Sequence, residues 1–177
     1  MNEQTVRLRG ELEEIMRRGK ELVASVDDAV LTRQPAEVSW SAAECIEHLN
    51  ISAEKYVRRF RRALDAGPKL PPREREKLTW RGRFFVWLAE PPPRWKLAAP
   101  RGYATQTAPP REELVARYVN LHAELIRILE ESDAIDRSKI RVNSPASRYV
   151  KLRLLDGFSL LTAHARRHLW QAERAIA

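Results

Sequence analysis

Cysteine is nearly absent from this 177-residue chain: Cys45 is the only one, which rules out an internal disulfide and any cysteine-built zinc knuckle. Glycine is scarce as well, with six residues and no glycine-rich run that could cradle a phosphate. No apolar stretch reaches membrane-spanning length. Met1-Asn2-Glu3-Gln4-Thr5 opens an amphipathic segment rather than a secretory signal, so a reducing cytoplasm is the expected compartment and no membrane partner is expected. Internal repeats, low-complexity tracts and alternating strand patterns are also missing. The size is that of one domain spanning residues 1–177, long enough to close a substantial core.

What is present is charge and helical periodicity. The formal net charge is +8. Between Lys55 and Arg83, eleven Lys or Arg stand against Asp65, Glu74 and Glu76, so that segment alone carries the whole excess. Such a patch can attract nucleic acid, anionic lipid or an anionic small molecule, or can be the solvated face of an arginine-rich helix.

Apolar residues fall mostly at three-and-four spacing, the signature of amphipathic helices. A first helix is predicted from Glu3 to Val26, with Val6, Leu8, Leu12, Ile15, Leu22 and Val26 as its stripe, followed by a loop through Asp27-Asp28 and Thr32 to Pro35. The second helix starts at a capping box, Ser41-Ala42-Ala43-Glu44, with Trp40 and Cys45 placed as a hydrophobic staple, and stops at Gly67-Pro68. Pro71, Pro72, Pro91 to Pro93, Pro100, Pro109 and Pro110 break the long crossover that follows. Within it Trp80, Phe84, Trp87 and Leu88 share one side of a short helical segment, expected to cap the core or roof a pocket. Flanking Arg81 and Arg83 also allow an interfacial helix.

A third helix opens after Pro110, with Glu112 and Glu113 suited to its dipole, and runs to Ser132-Asp133 on a stripe of Leu114, Tyr118, Leu121, Leu125 and Ile128. An irregular stretch around Asn143-Ser144-Pro145 precedes the fourth, which begins between Leu152 and Asp156 and buries Phe158, Leu161, Ala165, Leu169, Ala172 and Ile176. The expected fold is all-α, a four-helix bundle with a long crossover between helices 2 and 3.

Three of the four histidines carry the chemical signal. His164-Ala-Arg-Arg-His168 points two imidazoles the same way from one helix, bordering its apolar stripe. His48 borders the buried face of the second. Neutral rings at those edges need partners for their nitrogens, which a metal, water or a carboxylate would supply. Three imidazoles with an open fourth position describe a catalytic zinc site. No glutamate sits beside the first ligand, where Ala165 stands, so no built-in base is visible. His122, Cys45, Glu44 and Glu47 are further candidates as ligands or their supports, and Arg33, Arg166 and Arg167 as anion holders. Trp170 and Gln171 are expected to give packing and a hydrogen bond near the site.

Trp40-Ser41-Ala42-Ala43-Glu44-Cys45-Ile46-Glu47-His48-Leu49 resembles the Trp-Ser-x-x-Glu-x-x-x-His-Leu signature of the DinB-like (YfiT-like) proteins, and His164 to Gln171 is similar to their His-x-x-Arg-His-x-x-Gln ending. With the four helices, the resemblance covers nearly the whole chain. It implies a divalent metal, zinc or nickel among others, held by His48, His164 and His168. It also implies small-thiol S-transferase or metal-dependent hydrolase activity on a small-molecule substrate, with a low-molecular-weight thiol as a candidate cosubstrate. The alternatives are a non-catalytic helical bundle and a basic nucleic-acid-binding module, for which no recognised motif is present. Flat helix faces would also suit a homodimer.

Overall fold

A computed structural model describes residues 1–37, 39–73, 76–94, 107–144 and 150–177. Pro100, Pro145, Glu74 and one arginine of the basic segment, Arg75, lie outside the described residues. Four long helices dominate: α1 (Glu3–Ala24), α3 (Ala42–Ala66), α5 (Arg111–Ser132) and α6 (Leu154–Ile176). Helices α3 and α1 each pack against both α5 and α6, which closes a four-membered bundle.

Each start has a local cause. Asn2 caps α1 by accepting from the Gln4 amide. Ser41 and Glu44 form the expected capping box, with Ser41 Oγ accepting from the Glu44 amide at 3.2 Å and Glu44 Oε2 from the Ser41 amide at 2.8 Å. Helix α5 has no side-chain cap and relies on Pro110, with Glu112 and Glu113 at the positive end of its dipole.

The core lies in two stacked clusters. One joins Leu8, Leu12, Phe60, Leu125, Ile128 and Phe158. The other joins Ile15, Ile46, Leu49, Tyr118, Ala165 and Leu169. The Tyr118 ring lies over Gly19, where any Cβ would collide with it, and its hydroxyl donates to the Ile15 carbonyl at 2.8 Å. Val6 is not in the stripe assigned to it: it is exposed, and the buried side chain near it is Thr5.

Three smaller elements were not expected. The exit from α1 contains a one-turn helix α2 (Asp28–Thr32), capped by Asp27. A 3-10 turn, Arg137–Lys139, follows α5. The stretch before α6 is not wholly irregular, because β1 (Arg141–Asn143) pairs antiparallel with β2 (Lys151–Arg153). Val142 and Leu152 oppose each other on the buried face of this ribbon.

The crossover helix α4 (Trp80–Ala89) exists, but its orientation reverses the expectation. Trp80, Phe84 and Trp87 are exposed, and Gly82 is the buried position. Helix α4 therefore lies along α6 by its glycine side and presents its aromatic side outward, instead of burying it against the core.

Candidate functional site

The capping box fixes where α3 begins, and Trp40 immediately precedes it. One turn further on, His48 sits on the flank of α3 that faces α6, with 3% of its surface exposed. Because α3 and α6 run antiparallel, with Phe60 stacked on Phe158 near one end, His48 meets the middle of α6. His164 and His168, one turn apart there, close the group.

His48 Nε2 and His164 Nε2 are 3.2 Å apart, and one nitrogen from each of the three rings lies within 4.8 Å of the others. The ring centroids are separated by 5.1 Å (48 and 164), 4.4 Å (48 and 168) and 4.5 Å (164 and 168). Trp40 covers the group from one side, its ring 4.8 Å from that of His48 and 5.7 Å from that of His168. The sequence suggested only a staple role for this residue, since a tryptophan before a cap is usually packing and no spacing links it to α6.

Burial disfavours the charged form of the two α6 rings. It pushes His164 down to about 3, helped by the proximity of His48 and Arg167, and it pushes His168 well below the usual histidine range, helped by the same neighbours and by His164. Neutral imidazoles offer lone pairs, which is the state a metal needs. His168 Nδ1 donates to Gln171 Oε1 at 3.1 Å, leaving Nε2 as its lone-pair nitrogen. Nδ1 of His164 is buried without a hydrogen-bond partner.

The donor set passes a geometric test for a small divalent cation. Tetrahedral coordination at roughly 2.0–2.1 Å separates imidazole nitrogens by about 3.3 Å, close to the 3.2 Å between His48 and His164. The set is wholly nitrogen, which suits zinc, nickel or copper better than calcium or magnesium. Among the described residues it includes no carboxylate.

The other candidates are engaged outside the cluster, except that the charge of Arg167 acts on His164 and His168. His122 is buried in the α5 core, where its Nδ1 donates to the Tyr118 carbonyl at 2.8 Å and its ring stacks 4.1 Å from that of Tyr118. Cys45 is buried with its thiol pushed up to about 12 by burial, an inert state. Glu44 serves the capping box, and Glu47 pairs with Arg117 at 2.6 Å. Arg166 pairs with Glu11 and Glu90, and Arg167 reaches the Leu88 carbonyl. Arg33 is exposed. Trp170 stacks with Arg174.

The fold and this cluster define a class, the all-α bundles that gather histidines at the seam between two antiparallel helices. The family model described as the DinB superfamily matches residues 11–172, and the chain belongs to that superfamily. No curated protein and no solved structure matches it.

Proposed function

We propose that His48, His164 and His168 hold a divalent metal, zinc or nickel, and that this single-domain chain is a cytoplasmic enzyme joining a small-molecule substrate to a low-molecular-weight thiol. Hydrolysis at the same centre is the second form of this reading. The observation that carries it is the convergence of one ring nitrogen from each of three histidines within 4.8 Å.

A divalent ion bound there supplies Lewis acidity, which makes a thiol or water deprotonate at neutral pH. The chain's own residues do the rest. The three imidazoles would hold the ion, Gln171 keeps His168 in the donor tautomer, and Trp40 packs over one side of the group. With no carboxylate in the described cluster, the protein offers no base of its own there. That favours a thiol, which ionises more readily than water, as the nucleophile.

Elemental analysis of protein purified without a histidine tag tests the site. Wild type should carry close to one ion per chain, and each of His48→Ala, His164→Ala and His168→Ala less than about a tenth of that after dialysis. Unchanged metal content in all three variants would overturn the assignment and leave a non-catalytic bundle. Thiol-transfer and hydrolysis assays on the loaded protein then choose between the two reactions. The nucleic-acid alternative has no recognised motif behind it, and three of the segment's eleven cations are already in ion pairs: Arg58 with Glu54, Arg61 with Glu124 and Glu131, and Arg73 with Asp136.

A further inference from the structure

While those arginines are paired, another group of cations is not. The β1–β2 register sets Arg141 directly opposite Arg153, with Lys151 two residues along on the same face of the ribbon. Like charges placed opposite each other destabilise a strand pair, so a fold keeps them at a cost. Arg81 joins them from the first turn of α4. The four cations line one open cleft of about 610 Å³, within the size range of small-molecule sites.

Two details show that the charge is not spent internally. Asp156 is the carboxylate of the cleft lining; its oxygens accept from Thr79, through the backbone amide at 2.9 Å and the hydroxyl at 2.7 Å, so it forms no ion pair with the four cations and the lining keeps a net charge of +3. Among the described residues no ion pair forms to Arg81, Arg141, Lys151 or Arg153. Nε of Arg153 is buried with no acceptor. A buried guanidinium N–H without a partner is costly, and a turn of the half-buried Arg153 side chain toward an oxyanion in the cleft would satisfy it. The positive end of the α4 dipole opens on the same space, since Thr79 is its N-cap.

The rim adds a flat aromatic surface. Trp80, which lines the cleft, is 74% exposed, and Arg81 packs over its ring at 5.3 Å from the centroid. Guanidinium forks with an adjacent indole suit a phosphate attached to a ring. We propose that the cleft between the β1–β2 ribbon and the start of α4 binds a small nucleoside phosphate, its phosphates on Arg141, Lys151 and Arg153 and its base on Trp80. Asp156 and His164 are eight residues apart on α6, roughly 12 Å of helix rise, so the cleft is separate from the histidine cluster. A single-stranded nucleic acid would need a longer track of cations than this one cleft; of the α3 arginines, Arg58 and Arg61 are ion-paired and Arg59 donates to the Asn143 and Ser144 carbonyls.

Titration of the full chain at low ionic strength tests this, with ADP, pyrophosphate and a single-stranded oligonucleotide as probes, read by calorimetry and tryptophan fluorescence. ADP should bind and quench fluorescence, and Arg141→Gln with Lys151→Gln should weaken it by at least about tenfold. Lys151→Gln alone, at an exposed position, gives the same reading where the double variant does not fold. Trp80→Ala should weaken ADP but not pyrophosphate. Arg83→Gln, outside the cleft lining, should bind as wild type does. Three results would each overturn the proposal: no binding of ADP at millimolar concentration, equal loss in the Arg83 variant, or an oligonucleotide that binds more tightly than ADP.

Discussion

His168 gives its Nδ1 proton to Gln171, one turn along the same helix. Removing that acceptor lets the ring turn and frees either nitrogen to carry the proton, so half the orientations lose the donor atom. Gln171→Ala should therefore weaken metal retention by about 10- to 100-fold in a chelator competition, with Gln171→Glu retaining most of it because the acceptor remains. His122 makes a contrasting prediction, since it touches no part of the site. Burial pushes it down to about 4, whereas an unfolded histidine titrates near 6.5. As pH falls through that window the unfolded chain takes up the proton first, so the stability present above pH 6.5 is lost by about pH 4. The loss from this residue is about 3 kcal/mol. Urea unfolding at pH 7 and pH 4 should show a smaller drop for His122→Gln than for wild type. His164 and His168 push the metal-free protein in the same direction, which is why the comparison is between variants. That His164 and His168 point the same way was readable from spacing, because helical geometry fixes where residues four apart point; that His48 joins them was not, since it lies on another helix and only the family resemblance suggested it. Nor was the role of Trp40, because it depends on how closely α3 and α6 approach.

Helices with long periodic stripes were legible to within two residues at most ends, since caps and prolines are local signals. Short elements were not. A one-turn helix offers no periodicity, and three-residue strands are too short to show alternation. The reversal of α4 has a different cause. Hydrophobicity placed Trp80, Phe84 and Trp87 inward, but closeness of approach decided the matter, and it belongs to Gly82. A Cβ there would run into the carboxylate of Asp156, which Thr79 holds by two hydrogen bonds. Gly82→Ala must push α4 away from α6 or break that arrangement, and should cost about 1–3 kcal/mol in a denaturant titration. The metal content proposed for the histidine cluster, on the α3 side of α6, should be the same in that variant as in wild type.

Net charge described the whole molecule poorly, because pairing rather than counting decides what a charge does. The deepest instance is Arg137, 1% exposed and the largest fully buried side chain. Its Nε donates to Glu76 at 2.7 Å and another guanidinium nitrogen to Thr5 Oγ1 at 2.8 Å, while Asp133 lies 3.6 Å away. Those partners come from the crossover, from α1 and from the end of α5, so one guanidinium ties together segments as much as 132 residues apart. Nothing in the local sequence marks it, since a lone arginine after a helix is usually solvated. Removing it leaves the Glu76 carboxylate buried with its main cation gone, which is the expensive way to break such a pair. Arg137→Met should therefore lower unfolding free energy by about 3–5 kcal/mol in urea. Adding Glu76→Gln to that variant removes the stranded charge, so the double variant should be more stable than Arg137→Met alone. If the two substitutions simply add, the buried pair is not the tie that joins the crossover to the bundle.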